Sequence, residues 1–422
     1  MNIAIIDADL IGRQKHRFPN LACMKIAAYY KQNGNQVQLK TDYENLDQYD
    51  KAFISKVFTD TEVPEGVINL PNVEYGGTGF FYDKAPKLPK EIEHIKPDYH
   101  LYDNWVYEKI HEGIDIENCD DEEMESIIQK RRKDFVYYLD YSIGFLSRGC
   151  FRQCEFCVNK NYKKCERHSS VYEFMDESRP KLCFLDDNFF ACPQWKEIIQ
   201  EVKATGKRFQ FKQGLDERLL TDDKIHEMMT WKYDADFIFA FDNIADKDII
   251  ESKLQRIFEL YPKTKKHFKF YVLCGYDRNE QWDRDFWKQD IIDTFERIKI
   301  LSKYSALPYI MRYEKCYTSD YEGVYTTLAA WCNQPSIFKK FSYRDFCRCK
   351  GMANKYSQYK RNFDSYLHDG NKKGSTWRYM EQLETDFPDI ANQYFDFVPY
   401  DIAEHGTDYL HKNGNKDLTI QN

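Results

Sequence analysis

Between Tyr141 and Met311 six short apolar runs recur at the spacing of βα units: Tyr141–Leu146, Lys181–Leu185, Phe209–Lys212, Asp236–Phe241, Lys269–Leu273 and Pro308–Met311. Helical patterns separate most of them, around 194–204, 222–231, 246–260 and 285–304. A helix-length crossover returns the chain to the edge it started from, so consecutive strands run parallel. Six such units predict a parallel sheet curled into a partial barrel, with chemistry at the loops after the carboxyl ends of its strands. The same alternation opens the chain. Met1–Ile6 reads as a buried strand and Leu21–Gln32 as an amphipathic helix closed by Gly34, with further strands at Gln36–Lys40, Lys51–Val57 and Val73–Tyr75. That order predicts an open, mostly parallel α/β sheet with its ligand space at the strands' carboxyl ends.

The run Gly76-Gly77-Thr78-Gly79 lacks the Lys-Ser/Thr of a phosphate loop, and no clear helix follows, so it reads as a tight turn. Residues 82–118, rich in Pro, Lys, Asp and Tyr, read as a connector, and a helix is predicted over 120–133. Asp120, Asp121, Glu122 and Glu123 at its start and Lys130, Arg131, Arg132 and Lys133 at its end complement the helix dipole. This charge run is therefore a solvated helix. After about residue 316 the strand signal fades. The domain boundaries expected are 1–84, 85–140, 141–315 and 316–422.

Composition limits the function classes. The chain has 422 residues, long enough for two or three domains of about 100–200 residues each. With 42% hydrophobic residues and a net charge of −8 it is not a disordered polyampholyte. Aromatic residues reach 16%, which serves packing or a site for a flat ligand. No run approaches the roughly 18 apolar residues of a membrane span, and the start has no basic segment of a signal peptide. A cytoplasmic protein with no membrane association is expected. Thirteen cysteines are many for a reducing compartment, and an odd number argues against a disulfide framework. They are packing residues or metal ligands, and spacing has to decide.

The deciding run is Ser147-Arg148-Gly149-Cys150-Phe151-Arg152-Gln153-Cys154-Glu155-Phe156-Cys157, a C-x3-C-x2-C pattern directly after the first strand of the barrel-like region. Three thiolates within eight residues can wrap one metal centre. On a four-iron cluster three protein ligands leave one iron with an open position. The spacing, with Phe156 before the third cysteine, resembles the signature of the radical S-adenosylmethionine (radical SAM) superfamily. That resemblance implies a [4Fe–4S] cluster on Cys150, Cys154 and Cys157, with the amino and carboxylate groups of S-adenosylmethionine on the open iron. It also implies one-electron cleavage to methionine and a 5′-deoxyadenosyl radical that abstracts a substrate hydrogen, fed by an electron donor such as flavodoxin or ferredoxin. Asp186, Asp187 and Asn188 after the second strand resemble the acidic segment that holds the cofactor's amino group. Gln213 and Arg218 after the third strand are candidates to face cofactor or substrate. Asp242 after the fourth is a candidate for the ribose hydroxyls, and Gly275 after the fifth would let backbone approach adenine. A zinc knuckle is the alternative, with Cys165 or His168 as fourth ligand.

The first 80 or so residues look like the cobalamin-binding-type Rossmann domain that precedes many radical SAM barrels. Members that ligate cobalt through histidine carry Asp-x-His-x-x-Gly, whereas this chain has Asp7-Ala8-Asp9-Leu10-Ile11-Gly12. A carboxylate is a poor substitute for imidazole at cobalt, so cobalamin is not favoured and the domain is expected to be structural or substrate-covering. The expected fold class is therefore α/β: an N-terminal Rossmann-like domain, a partial (β/α)6 radical SAM barrel and a helical C-terminal extension. The expected function is a radical SAM enzyme of unidentified substrate. The alternatives are a cobalamin-dependent radical SAM methyltransferase and a non-catalytic, zinc-stabilised nucleic-acid-binding protein. Residues 339–378 bear on the last, with eleven basic residues against three acids and interleaved rings. They fit either a nucleic-acid grip or a helix that buries its rings and solvates its lysines. Cys316, Cys332, Cys347 and Cys349 lack a C-x2-C and do not favour a second cluster; Cys23, Cys119, Cys183, Cys192 and Cys274 read as packing residues.

Overall fold

The computed structural model describes residues 1–114, 120–160, 162–352 and 362–405. It falls into two compact units, Met1–Gln213 with Lys232–Asp234, and Gly214–Trp231 with the chain from Ala235 onward.

The first unit begins with strands β1 (Asn2–Asp7), β2 (Gln36–Lys40), β3 (Lys51–Ser55) and β4 (Val73–Gly76), all parallel in the order β2-β1-β3-β4. Ile3, Ala4, Ile5 and Ile6 have no exposed surface, as an unbroken apolar run in a doubly covered strand requires. Ile3 and Ile5 face one core and Ala4 and Ile6 the other, the period of two that a strand imposes. The first core is closed by the helix Leu21–Gln32, whose Asn20 side chain accepts from the Cys23 amide. Tyr99, Tyr102, Val106 and Tyr138 complete it. Side chains from the stretch read from sequence as a connector thus enter the core of the first sheet, because their rings carry large apolar area. A short helix, Thr78–Phe81, begins within the glycine run, where the sequence pattern predicts none. The helix Asp121–Arg132 has the expected charges at its ends and buries no residue.

The same unit holds β5 (Tyr141–Gly144), β6 (Ser147–Arg148), β7 (Glu166–Arg167), β8 (Lys181–Phe184) and β9 (Arg208–Phe211). Strands β5, β8 and β9 form a parallel sheet in that order, and β6 and β7 form a short antiparallel ladder. The second unit contains the parallel sheet β10 (Phe237–Ala240), β11 (Phe268–Cys274) and β12 (Leu307–Arg312). Along β11, Phe268, Phe270, Val272 and Cys274 are buried while Lys269, Tyr271 and Leu273 are half-buried. The six strands expected from periodicity are thus present as two parallel sheets of three, one in each unit, separated by helices such as Trp195–Ala204 and Arg284–Lys303.

The C-terminal part is helical, from Glu322–Cys332 to Pro388–Tyr394. Of the described rings in the basic run, Tyr343, Tyr366 and Trp377 are buried and Phe363 is half-buried. Arg344 pairs with Glu384 and Asp396, Lys373 pairs with Glu381, and Lys339 is buried. Lys355, Lys360 and Arg361 of the basic run, and Cys119, lie outside the described residues. Among the described residues no helix is long and apolar enough to cross a membrane.

Candidate functional site: the cysteine loop

The loop bearing Cys150, Cys154 and Cys157 leaves the carboxyl end of β5 and is closed at its base by β6 and β7, where Ser147 pairs with Arg167 and Arg148 with Glu166. Gly149 opens it at φ +97°, and a Cβ there would stand 2.3 Å from the Lys164 carbonyl oxygen, so only glycine fits. A turn follows in which the Cys157 amide donates to the Cys154 carbonyl at 2.9 Å. Two sulfurs already receive backbone donors. The Arg152 amide reaches Cys150 Sγ at 3.5 Å and the Asn159 amide reaches Cys157 Sγ at 3.4 Å. Donors of this kind tune iron–sulfur clusters. Exposure separates these cysteines from the rest. Of twelve described free cysteines nine are buried, and only Cys150, Cys154 and Cys157 are half-buried.

The loop after β8 clamps the cysteine loop. Asp186, with no exposed surface, accepts from the Leu146 amide at 3.0 Å and from the Ser147 amide and hydroxyl at 2.6 Å each. Burial pushes its carboxyl up to about 7, against the pull of those donors. Asp187 accepts from the Gly149 amide at 2.7 Å and from the Asn159 side chain, so it holds both ends of the loop. The Asn188 side chain donates to Cys150 Sγ at 3.5 Å. The acidic segment expected at a cofactor's amino group therefore spends its carboxylates on the cysteine loop itself. Two further contacts pin the loop: the Tyr82 hydroxyl donates to the Phe156 carbonyl at 2.9 Å, and Lys160 pairs with Asp83 at 3.3 Å.

Among the described residues no three His, Cys, Asp or Glu side chains converge into a preformed metal site, the loop thiols included. The donor set nevertheless suits an iron–sulfur cluster: three soft sulfurs on one short loop, two with N–H donors in place. The residues that a zinc knuckle would need as fourth ligand point elsewhere. Cys165 is buried and donates to the Asn188 carbonyl at 3.3 Å, and His168 stacks on His94 and faces Glu93.

Of the remaining candidates, Gln213 is exposed at the end of the first unit's main segment. Arg218, Asp242 and Gly275 belong to the second unit. Arg218 bridges Asp216 at 2.8 Å and Asp246 at 2.7 Å. Asp242 accepts from the Leu273 amide at 3.2 Å, and burial raises its carboxyl. Gly275 has φ +76°, and a Cβ there would meet Cys316 Sγ at 2.3 Å. Its N–H donates to Asp290 and its carbonyl accepts from Trp282, so the glycine answers to local packing. Sequence reasoning missed Glu217 beside Arg218. Its carboxyl is 1% exposed and pushed up to about 8 by burial, and Oε1 has no hydrogen-bond partner among the described residues. It also missed Ser147 and Asn159, whose roles depend on partners some thirty to forty residues away.

No protein-family model matches this chain, and no curated protein does. The likeness is to radical enzymes. Among solved structures, cobalamin-dependent S-adenosylmethionine radical enzyme OxsB overlaps with it in three states. The apo, selenomethionine-labelled form shares 15% identity over 74% of this chain and 49% of that one, at a TM-score of 0.34. The aqua-cobalamin form gives 14%, 74%, 49% and 0.33. The form with aqua-cobalamin and S-adenosylmethionine gives 13%, 90%, 56% and 0.32. The chain spans about half the length of these structures. An overlap this distant carries no functional information.

The first sheet has its own ligand position, the crevice between β1 and β3 where the strand order reverses. Here the chain fills it. Asp7, with no exposed surface, accepts from the Tyr102 hydroxyl at 2.8 Å, and His16 Nε2 lies 3.6 Å from the same carboxylate oxygen. His16 Nδ1 shares a short hydrogen bond with the Tyr138 hydroxyl. Asn20 donates to Ser55 Oγ at 2.9 Å, and its amide donates to the Tyr102 hydroxyl. Burial pushes Asp7 up to about 7 and His16 down to about 4. Asp9, at the position of a cobalt-ligating histidine, is 1% exposed and accepts from the Val57 amide and the Thr61 hydroxyl, tying down the loop after β3.

Proposed function

We propose that this chain is a radical SAM enzyme whose Cys150, Cys154 and Cys157 hold a [4Fe–4S] cluster. The carrying observation is the cysteine loop: three half-buried thiols at the carboxyl end of a parallel strand, in a chain whose other described cysteines are buried. When bound, the cluster and S-adenosylmethionine supply a 5′-deoxyadenosyl radical that abstracts a hydrogen atom from substrate. The chain's own groups set the conditions. The Arg152 and Asn159 amides donate to Cys150 Sγ and Cys157 Sγ, the Gly149 turn sets where the loop departs, and Asp186 and Asp187 hold its base. The fourth coordination position is left to the cofactor, because Cys165 and His168 have other partners. A donor of the flavodoxin or ferredoxin type would deliver the electron.

In this proposal the domain boundaries are those read from sequence, and the N-terminal sheet supports the enzyme without histidine-ligated cobalamin. The crevice occupied by Tyr102 and Tyr138 supports that reading. The test is reduction of anaerobically prepared protein in the presence of S-adenosylmethionine, followed by measurement of 5′-deoxyadenosine. Release that depends on all three cysteines supports the proposal, and absence of release from cluster-loaded protein contradicts it.

A further inference from the structure

The glycine run at the end of β4 plays no part in the proposed chemistry, yet it aims the chain at the cysteine loop. Gly77 has φ +104°, and a Cβ there would stand 2.2 Å from the Lys56 carbonyl oxygen, so only glycine lets the two backbones meet. The Gly79 amide donates to that same carbonyl at 2.9 Å and the Thr78 hydroxyl to the Val57 carbonyl at 3.0 Å, which ties the run to the chain after β3. Beyond the helix Thr78–Phe81 stands Tyr82, with φ +48° and ψ −113°, outside the regions open to a residue with a Cβ. Such a conformation persists only where the surroundings hold it, and it is concentrated at functional sites. Residues 82–87 then run along the cysteine loop and meet it three times in sequence order. The Tyr82 hydroxyl donates to the Phe156 carbonyl at 2.9 Å, Asp83 pairs with Lys160 at 3.3 Å, and the Lys87 ammonium lies 5.1 Å from the centre of the Tyr162 ring.

We propose that Tyr82 is a positioning residue for Cys157, the third thiol of the loop, and that the glycine run is what delivers it. This rests on the reading of Cys157 as a cluster ligand. The hydroxyl bonds to the peptide that enters Cys157. That peptide's carbonyl, on Phe156, accepts from Tyr82, and its N–H, on Cys157, donates to the Cys154 carbonyl at 2.9 Å. A peptide is planar, so holding both of its polar groups fixes the plane from which the Cys157 side chain departs. Cys150 is held by other groups, the Asn188 side chain and the Arg152 amide at its sulfur. Groups that orient a ligand from behind set how well it holds metal. Tyr82 is 40% exposed, so its hydroxyl can be removed without opening a cavity.

The test compares the native full chain with Tyr82→Phe and with Tyr172→Phe, a control at an exposed ring outside the loop. Each is alkylated briefly with iodoacetamide, anaerobically and before any metal is added, and labelling at each cysteine is read by mass spectrometry. The expected result is several-fold faster labelling of Cys157 in Tyr82→Phe, with Cys150 and the buried cysteines unchanged and the denaturation midpoint unmoved. Asp83→Asn, which releases Lys160, should give a smaller rise at Cys157. Equal Cys157 rates in Tyr82→Phe and the native chain would overturn the proposal. So would a rise at every cysteine, the mark of a merely structural residue. After loading with iron and sulfide, Tyr82→Phe should lose iron to a chelator several-fold faster than Tyr172→Phe, and equal loss would also overturn it. A chain that takes up no iron contradicts the cluster reading alone, since the labelling comparison needs no metal.

Discussion

The first unit contains two parallel sheets, and the carboxyl edge of each is a place where α/β proteins bind ligands. The chain treats these edges in opposite ways. At the edge of β1 and β3 it inserts Tyr102 and Tyr138 from a distant segment and seals Asp7 and His16 beneath them. At the edge of β5 and β8 it puts out a loop with three half-buried thiols and uses buried carboxylates to hold that loop from behind. A strand edge is thus only an opportunity. The side chains placed over it decide whether it becomes core or site. Polar residues at the first edge bond largely to one another, with Asp7 Oδ1 left without a hydrogen-bond partner among the described residues, whereas those at the second support groups that still face outward.

The largest expected effect removes the difference altogether. Cys150→Ala, Cys154→Ala and Cys157→Ala should each lower 5′-deoxyadenosine release by at least about a hundredfold, since loss of one ligand disrupts the metal site. Circular dichroism should not change, because half-buried thiols contribute little to packing. Next, Tyr138→Ala should open the sealed edge and cost about 3 kcal/mol of stability, the price of truncating a buried aromatic ring. Chemical denaturation would register it. A change below about 0.5 kcal/mol would show that the edge is not sealed in solution.

The third prediction concerns pH. Between about pH 4 and 6.5 folded Asp7 keeps a proton that the unfolded chain releases, while folded His16 lacks one that the unfolded chain binds. The two contributions to the pH dependence oppose each other. Asp7→Asn leaves His16 alone, so stability relative to the native chain should rise with pH across this window. His16→Gln removes the His16 contribution, so relative stability should fall and level off near pH 6.5, whereas the rise for Asp7→Asn should continue to about pH 7. Each slope is at most about 1.4 kcal/mol per pH unit. Denaturation at a series of pH values checks both signs, and slopes of the same sign would dissolve the pairing. The smallest effect on stability belongs to Asp187→Asn. It weakens the hold on Gly149 and should change unfolding free energy by about 1 kcal/mol or less, yet lower iron retention several-fold.

Much of this arrangement was legible in the sequence, and the limits have a physical pattern. The helix Leu21–Gln32 and the strand Gln36–Lys40 match their expected bounds, and all six later strands lie within two residues of theirs, because periodicity is a local property. The C-x3-C-x2-C run was visible for the same reason. Tyr102 on Asp7 and Asp186 on Ser147 were not. They join residues 95 and 39 positions apart, and no pattern in a local window carries such a pairing. Asp186 illustrates the consequence. Its place at a strand end suggests a ligand for a cofactor, and its burial and the three hydrogen bonds it accepts from Leu146 and Ser147 come from the fold, not from any local pattern.

The most direct measurement is the metal content of anaerobically reconstituted protein, read together with its absorption spectrum. The account predicts about four irons and four sulfides per chain, a brown solution that bleaches in air, and loss of both in each single cysteine variant. A colourless protein that binds one zinc per chain through the same cysteines would contradict it.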